Sequence, residues 1–115
     1  MGATPAVAAT ARLRHCCLQY REFALANRQL YAILLEGAAL GERCLALLAR
    51  NVELAAAAGV IAGRDARDAA QQIWCALHGA VALELSGRAK TLDPAQTYRA
   101  LVDTILRGLA GSYHE

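Results

Sequence analysis

Apolar residues in this chain recur at steps of three and four and never alternate over the length of a strand, a pattern that builds helices and no sheet. Cap and turn signals divide it into five segments. Thr4-Pro5 supplies an N-cap followed by proline at the first helical position, and the helix it opens runs to about Ala26. Its stripe is Leu13, Cys16, Cys17, Tyr20 and Ala24, with Arg12, Arg14, Gln19 and Arg21 largely off it. Asn27 reads as the N-cap of a short second helix, Arg28 to Glu36, closed by Gly37 and Gly41. The third, Glu42 to Ala58, turns Cys44, Leu45, Leu48, Val52 and Ala55 inward and stops at Gly59, a natural left-handed position. Asp65 caps the fourth, with Asp68 in its first turn, and the pattern continues to about Ser86 before Gly87. Asp93-Pro94-Ala95-Gln96 opens the fifth in the manner of a capping box, and that helix ends near Gly111. The expected architecture is all-α, one helical domain over residues 1–115.

Composition sharpens this reading. Apolar residues make up 57% of the chain and aromatics only 5%, because much of the apolar share is alanine, which favours helix but adds little hydrophobic area. A core this thin in a small domain is expected to be completed by a second copy. The formal charge is +2, Lys90 is the only lysine and the arginines are dispersed, so no basic face tracks phosphates and direct nucleic-acid contact is not expected.

No stretch approaches the about 20 apolar residues that span a bilayer, and the most apolar one, Leu54 to Ala62, is mostly alanine. Met1 to Thr10 lacks the basic and apolar regions of a secretion signal, which makes a cytoplasmic location the expectation. The four cysteines lie in apolar helical stripes and read as free thiols. Cys75 and His78, three apart on one helix, could share a metal with His15 or Cys16, but no Cys-x-x-Cys spacing supports such a site, so neither metal nor cofactor is expected. Catalytic signatures are absent too: no Gly-x-Ser-x-Gly elbow, no phosphate-cradling glycine loop and no His-Glu-x-x-His. Asp65 and Asp68 are explained as helix-start residues, and the chain is not expected to be an enzyme.

The fourth segment carries two stripes. Ala70, Ile73, Trp74, Leu77, Val81 and Leu85 form a broad face of mostly large residues, with His78 beside it. Cys75, Gly79, Ala82 and Ser86 form a small-residue stripe about a third of a turn around, which would let another helix backbone approach. Glycine inside a helix costs about 1 kcal/mol against alanine, so Gly79 calls for a packing reason.

Trp74-Cys75-Ala76-Leu77-His78-Gly79, followed by Ala80 to Leu85, resembles the Trp-x-x-x-His-Gly motif of one large group of TetR-family C-terminal domains. Tyr20-Arg21-Glu22-Phe23-Ala24, with Asn27 and Leu30-Tyr31, resembles the segment that enters that domain's ligand pocket, although Arg28 stands where the family usually has proline. Ala58-Gly59-Val60-Ile61 with Asp65 is similar to the loop before the motif helix, and Leu101 to Leu109 to the family's ending. The family's N-terminal helix-turn-helix has no counterpart in these residues, so operator binding is carried onto none of them.

The resemblance implies an effector-binding and dimerisation domain of a transcriptional regulator, with a pocket for an apolar or amphipathic small molecule and a homodimer whose last two helices form a four-helix bundle. Pocket candidates are Tyr20, Phe23, Tyr31, Leu34, Leu48, Trp74 and His78, apolar walls with a few polar groups. The aromatic residues fit a plain core as well, and His78 a hydrogen-bonded structural histidine. Dimer candidates are Cys75, Gly79, Ala82, Ser86, Leu101 and Ile105. The row Arg99, Asp103 and Arg107 reads as a solvated ladder along the last helix. The competing reading is a free-standing helical homodimer that serves as an interaction module without DNA.

Overall fold

A computed structural model describes residues 4–31, 38–61 and 63–111, with side chains in the third helix described from residue 42. The helices are α1 (Pro5–Ala26), α2 (described over residues 28–31), α3 (Ala38–Ala57), α4 (Ala66–Leu85) and α5 (Pro94–Ala110). No strand occurs among the described residues, and the fold is all-α.

Most boundaries follow from their caps. Thr4 accepts a hydrogen bond from the Val7 amide at 3.2 Å, and Asp65 one from the Arg67 amide at 2.8 Å. Asp93 accepts from the Gln96 amide at 3.2 Å. Each satisfies an amide that has no partner inside its own helix. Two glycines close helices in left-handed geometry, Gly59 at φ 79° and Gly87 at φ 73°. Behind Gly59 the Val60 amide reaches back to Ala55 at 2.9 Å, and behind Gly87 the Arg88 amide reaches Leu83 at 2.7 Å, the paired bonding of a Schellman end.

Two boundaries differ from the sequence expectation. Helix α3 begins at Ala38, not Glu42, and so runs through Gly41. One interior glycine costs about 1 kcal/mol, which a helix of 20 residues with alanine and leucine on either side absorbs. Asn27 does not cap α2 with its side chain: its amide nitrogen donates back to the Phe23 carbonyl at 3.0 Å, while its own carbonyl accepts from the Tyr31 amide at 2.7 Å. It closes α1 with the side chain and opens α2 with the backbone.

Helix α1 lies against α3, α4 and α5, and α3 packs most extensively on α4. The core is built from Leu13 and Cys17 of α1, Leu48 and Val52 of α3, Ile73, Leu77 and Val81 of α4, and Tyr98 and Val102 of α5. Each large aliphatic side chain so buried contributes about 1.5–3 kcal/mol, and the alanines between them (Ala24, Ala55, Ala69, Ala70) mainly let the axes come close. Tyr98 also donates a buried hydrogen bond to the Cys17 carbonyl at 2.7 Å, fixing α5 on α1.

Two charged contacts cross between helices. Arg21 grips Glu84 in bidentate fashion, Nε to Oε2 at 2.9 Å and Nη2 to Oε1 at 2.7 Å, with side chains only 13% and 17% exposed. Arg14 reaches Asp103 at 2.8 Å. Asp103 is therefore tied to α1 and is no mere member of a ladder along α5, because α1 crosses α5 at that height.

Candidate functional site

Three elements deliver the polar side chains singled out in the sequence to one place. Tyr20 lies near the end of α1, Tyr31 on α2, and Trp74 and His78 one turn apart on α4. Their polar atoms form a continuous chain: Trp74 Nε1 donates to Tyr20 Oη at 3.2 Å, Tyr20 Oη lies 2.7 Å from Tyr31 Oη, and Tyr31 Oη lies 2.9 Å from His78 Nδ1. The rings of Tyr20 and Tyr31 meet edge to face with centroids 5.8 Å apart, a favoured aromatic geometry. Tyr31 is almost fully buried, and Tyr20, Trp74 and His78 are half-buried.

The surroundings are apolar, and the phenols respond to that. Burial pushes the Tyr31 hydroxyl far above the ordinary tyrosine range, with its bond to Tyr20 acting in the same direction. Tyr20 is likewise raised by burial, partly offset by its bonds to Tyr31 and Trp74. Both remain neutral hydroxyls at any physiological pH, so the cluster presents neutral donors and acceptors and no phenolate. Among the described residues no group of three His, Cys, Asp or Glu side chains is placed to hold a metal, and all four cysteines are free.

Leu48 and Phe23 take no part in this hydrogen-bonded chain. Leu48 is buried in the core of α3. Phe23 is 43% exposed and belongs to no part of the hydrogen-bonded chain. Leu34 lies outside the described residues.

Of the dimer candidates, Cys75 and Ser86 are exposed, while Gly79, Ala82, Leu101 and Ile105 are half-buried. An added Cβ at Gly79 would meet nothing within 4 Å, so nothing among the described residues requires the glycine. The small-residue stripe lies roughly half a turn from the buried line Ile73-Leu77-Val81, farther than the sequence alone implied. Trp74 and Leu85 had drawn the apparent centre of the large face to one side, whereas both are only partly buried. Beside the stripe, a groove of about 430 Å³ runs between the end of α4 and the start of α5, lined by Ala76, Ala80, Leu83, Thr97, Tyr98 and Leu101 among others. Leu83 is 51% exposed there.

Sequence reasoning missed the Arg21–Glu84 pair. Its one available signal was an arginine directly after Tyr20 combined with Glu84 as an isolated carboxylate in a highly apolar helix.

Residues 13–105 match the family model described as "Tetracyclin repressor-like, C-terminal domain". The chain belongs to this family. No curated protein and no solved structure gives a significant match. As a tetracycline-repressor-like C-terminal domain, the chain falls among the ligand-binding and dimerisation domains of transcriptional regulators, which are generally not enzymes. No helix among its described residues is long and apolar enough to cross a membrane.

Proposed function

We propose that this domain senses an apolar or amphipathic small molecule at the Tyr20–Tyr31–Trp74–His78 cluster and forms a homodimer through α4 and α5, without touching nucleic acid itself. The observation that carries the reading is the convergence of four side chains from three helices into one hydrogen-bonded chain within apolar surroundings. Ligand sites combine apolar walls with a few placed polar groups, and this cluster has both. Dimerisation is supported by the face of α4 and α5 on which Leu83 is 51% exposed, Leu101 is half-buried and a Cβ at Gly79 would meet no described atom within 4 Å.

Trp74 is the only tryptophan, so its fluorescence reports on the cluster alone. A panel of lipophilic compounds is expected to shift that fluorescence and to raise the thermal midpoint, by about 2.7 kcal/mol of stability at a hundredfold excess over the dissociation constant. Compounds that raise the midpoint without altering Trp74 emission would place the ligand elsewhere.

The interaction-module reading has one observation in its favour. The groove beside α5 is lined by other residues than the cluster and opens on the face proposed for dimerisation. A chain that dimerises and binds none of the panel would favour it.

A further inference from the structure

We infer that the molecule held at this cluster carries a hydrogen-bond acceptor, a carbonyl, ether or carboxylate oxygen, and presents it to Nε2 of His78. This rests on the effector-binding reading above and specifies its ligand.

The hydrogens of the cluster can be followed one at a time. An indole nitrogen only donates, so the Trp74 hydrogen goes to Tyr20 Oη. From there two directions remain. If both hydroxyls point toward His78, Tyr20 donates to Tyr31 and Tyr31 donates to Nδ1, and the one hydrogen left over is that on Nε2. If they point the other way, Tyr20 Oη accepts from Trp74 and from Tyr31 together, and its own hydrogen is left with no acceptor among the described residues.

Each direction leaves one hydrogen over, but only the first runs all three bonds head to tail from Trp74 to His78, and bonds so aligned strengthen one another. The first direction is favoured on that ground. It makes Nδ1 the lone-pair end, so the neutral ring carries its hydrogen on Nε2.

Nε2 has no partner among the described residues, and it is not one of the solvent-excluded atoms that lack one, so it keeps access to the space outside the packed core. At this end the cluster offers one donor and no acceptor. An oxygen acceptor satisfies it; an alkane leaves it unpaired, and an ammonium group would set hydrogen against hydrogen.

The test has two parts. Nitrogen-detected NMR of the free chain at alkaline pH reads the tautomer of His78 directly, and protonation at Nε2 is expected. A medium-chain methyl ketone, the alkane of equal length and the corresponding primary amine are then titrated while Trp74 fluorescence is followed. The ketone is expected to bind about fivefold more tightly than either, the worth of one neutral hydrogen bond. His78→Phe, checked for folding by circular dichroism, should remove the ketone's advantage over the alkane.

Protonation at Nδ1, equal affinity for ketone and alkane, or tightest binding of the amine overturns the acceptor inference and leaves the pocket reading standing. Binding of none of the three overturns both.

Discussion

Removing one oxygen, by Tyr31→Phe, isolates the energetic role of the cluster. The substitution keeps the ring and its edge-to-face contact with Tyr20, while deleting the hydroxyl that stands 2.7 Å from Tyr20 Oη and 2.9 Å from His78 Nδ1. Each intramolecular hydrogen bond is worth about 1 kcal/mol net, and two are lost. Tyr20 and His78 are half-buried, so water recovers part of the loss, and phenylalanine prefers an apolar site to tyrosine. The expected net cost is about 1–2 kcal/mol. For a chain of 115 residues this lowers the thermal midpoint by roughly 4–8 °C.

Urea unfolding without ligand, at fixed protomer concentration so that dimerisation does not distort the comparison, measures it. Combining Tyr31→Phe with His78→Phe should cost less than the sum of the singles, by about 0.5–1 kcal/mol, because the two share a bond. A Tyr31→Phe chain that unfolds within about 0.3 kcal/mol of the parent would refute the reasoning, since the hydroxyl would then be no better placed in the fold than in water.

Glu84→Gln should destabilise by about 2 kcal/mol by leaving the Arg21 guanidinium in a site with little solvent, and Arg21→Lys should recover little because the two-pronged geometry is lost; an unchanged urea midpoint for Glu84→Gln contradicts this. Gly79→Arg should yield a folded monomer, since a Cβ there meets no described atom within 4 Å, whereas the parent should sediment as a dimer at micromolar concentration; a parent that sediments as a monomer defeats the dimer reading. In thiol titration of the Gly79→Arg monomer Cys75 should react first, while Cys17, buried and with its thiol pushed up to about 12, should wait for unfolding; early labelling of Cys17 would show that α1 opens readily. Its hydrogen bond to Arg14 holds the Asp103 carboxyl below the ordinary range, so this pair's contribution is present above the unfolded carboxyl's pKa and disappears as pH falls through the lowered folded value. Asp103→Asn should therefore differ from the parent at neutral pH and converge with it in acid, and a difference that persists in acid would assign the effect to packing.

The helices were legible where chemistry is local. Thr4-Pro5, Asp65 and Asp93-Pro94 each mark a start through a bond spanning two or three residues, and Gly59 and Gly87 mark ends through a backbone angle that other residues resist. Gly41 misled for the same reason, because its cost is local while the length of α3 that outweighs it is not. Tyr20, Tyr31, Trp74 and His78 could be selected from the stripe pattern and the family resemblance. The order in which they join hands could not, since it depends on residues of α1, α2 and α4 meeting at one place. Arg21 with Glu84 and Arg14 with Asp103 are separated by 63 and 89 positions, and no period in the sequence links such partners. Phe23 lay close enough in sequence to be grouped with Tyr20, yet three residues along a helix are about 60° short of a full turn, and that difference leaves it facing solvent.

Tyr20 and Arg21 are consecutive residues of one helix, and their side chains point about 100° apart. One is hydrogen-bonded into the aromatic cluster; the other holds Glu84, whose side chain also borders the groove between α4 and α5. A helix turns as a rod, so α1 cannot roll to swing Tyr20 away from Tyr31 without carrying Arg21 through the same angle and drawing out both of its short bonds to Glu84. Mechanically, the aromatic cluster and the groove share a single axle.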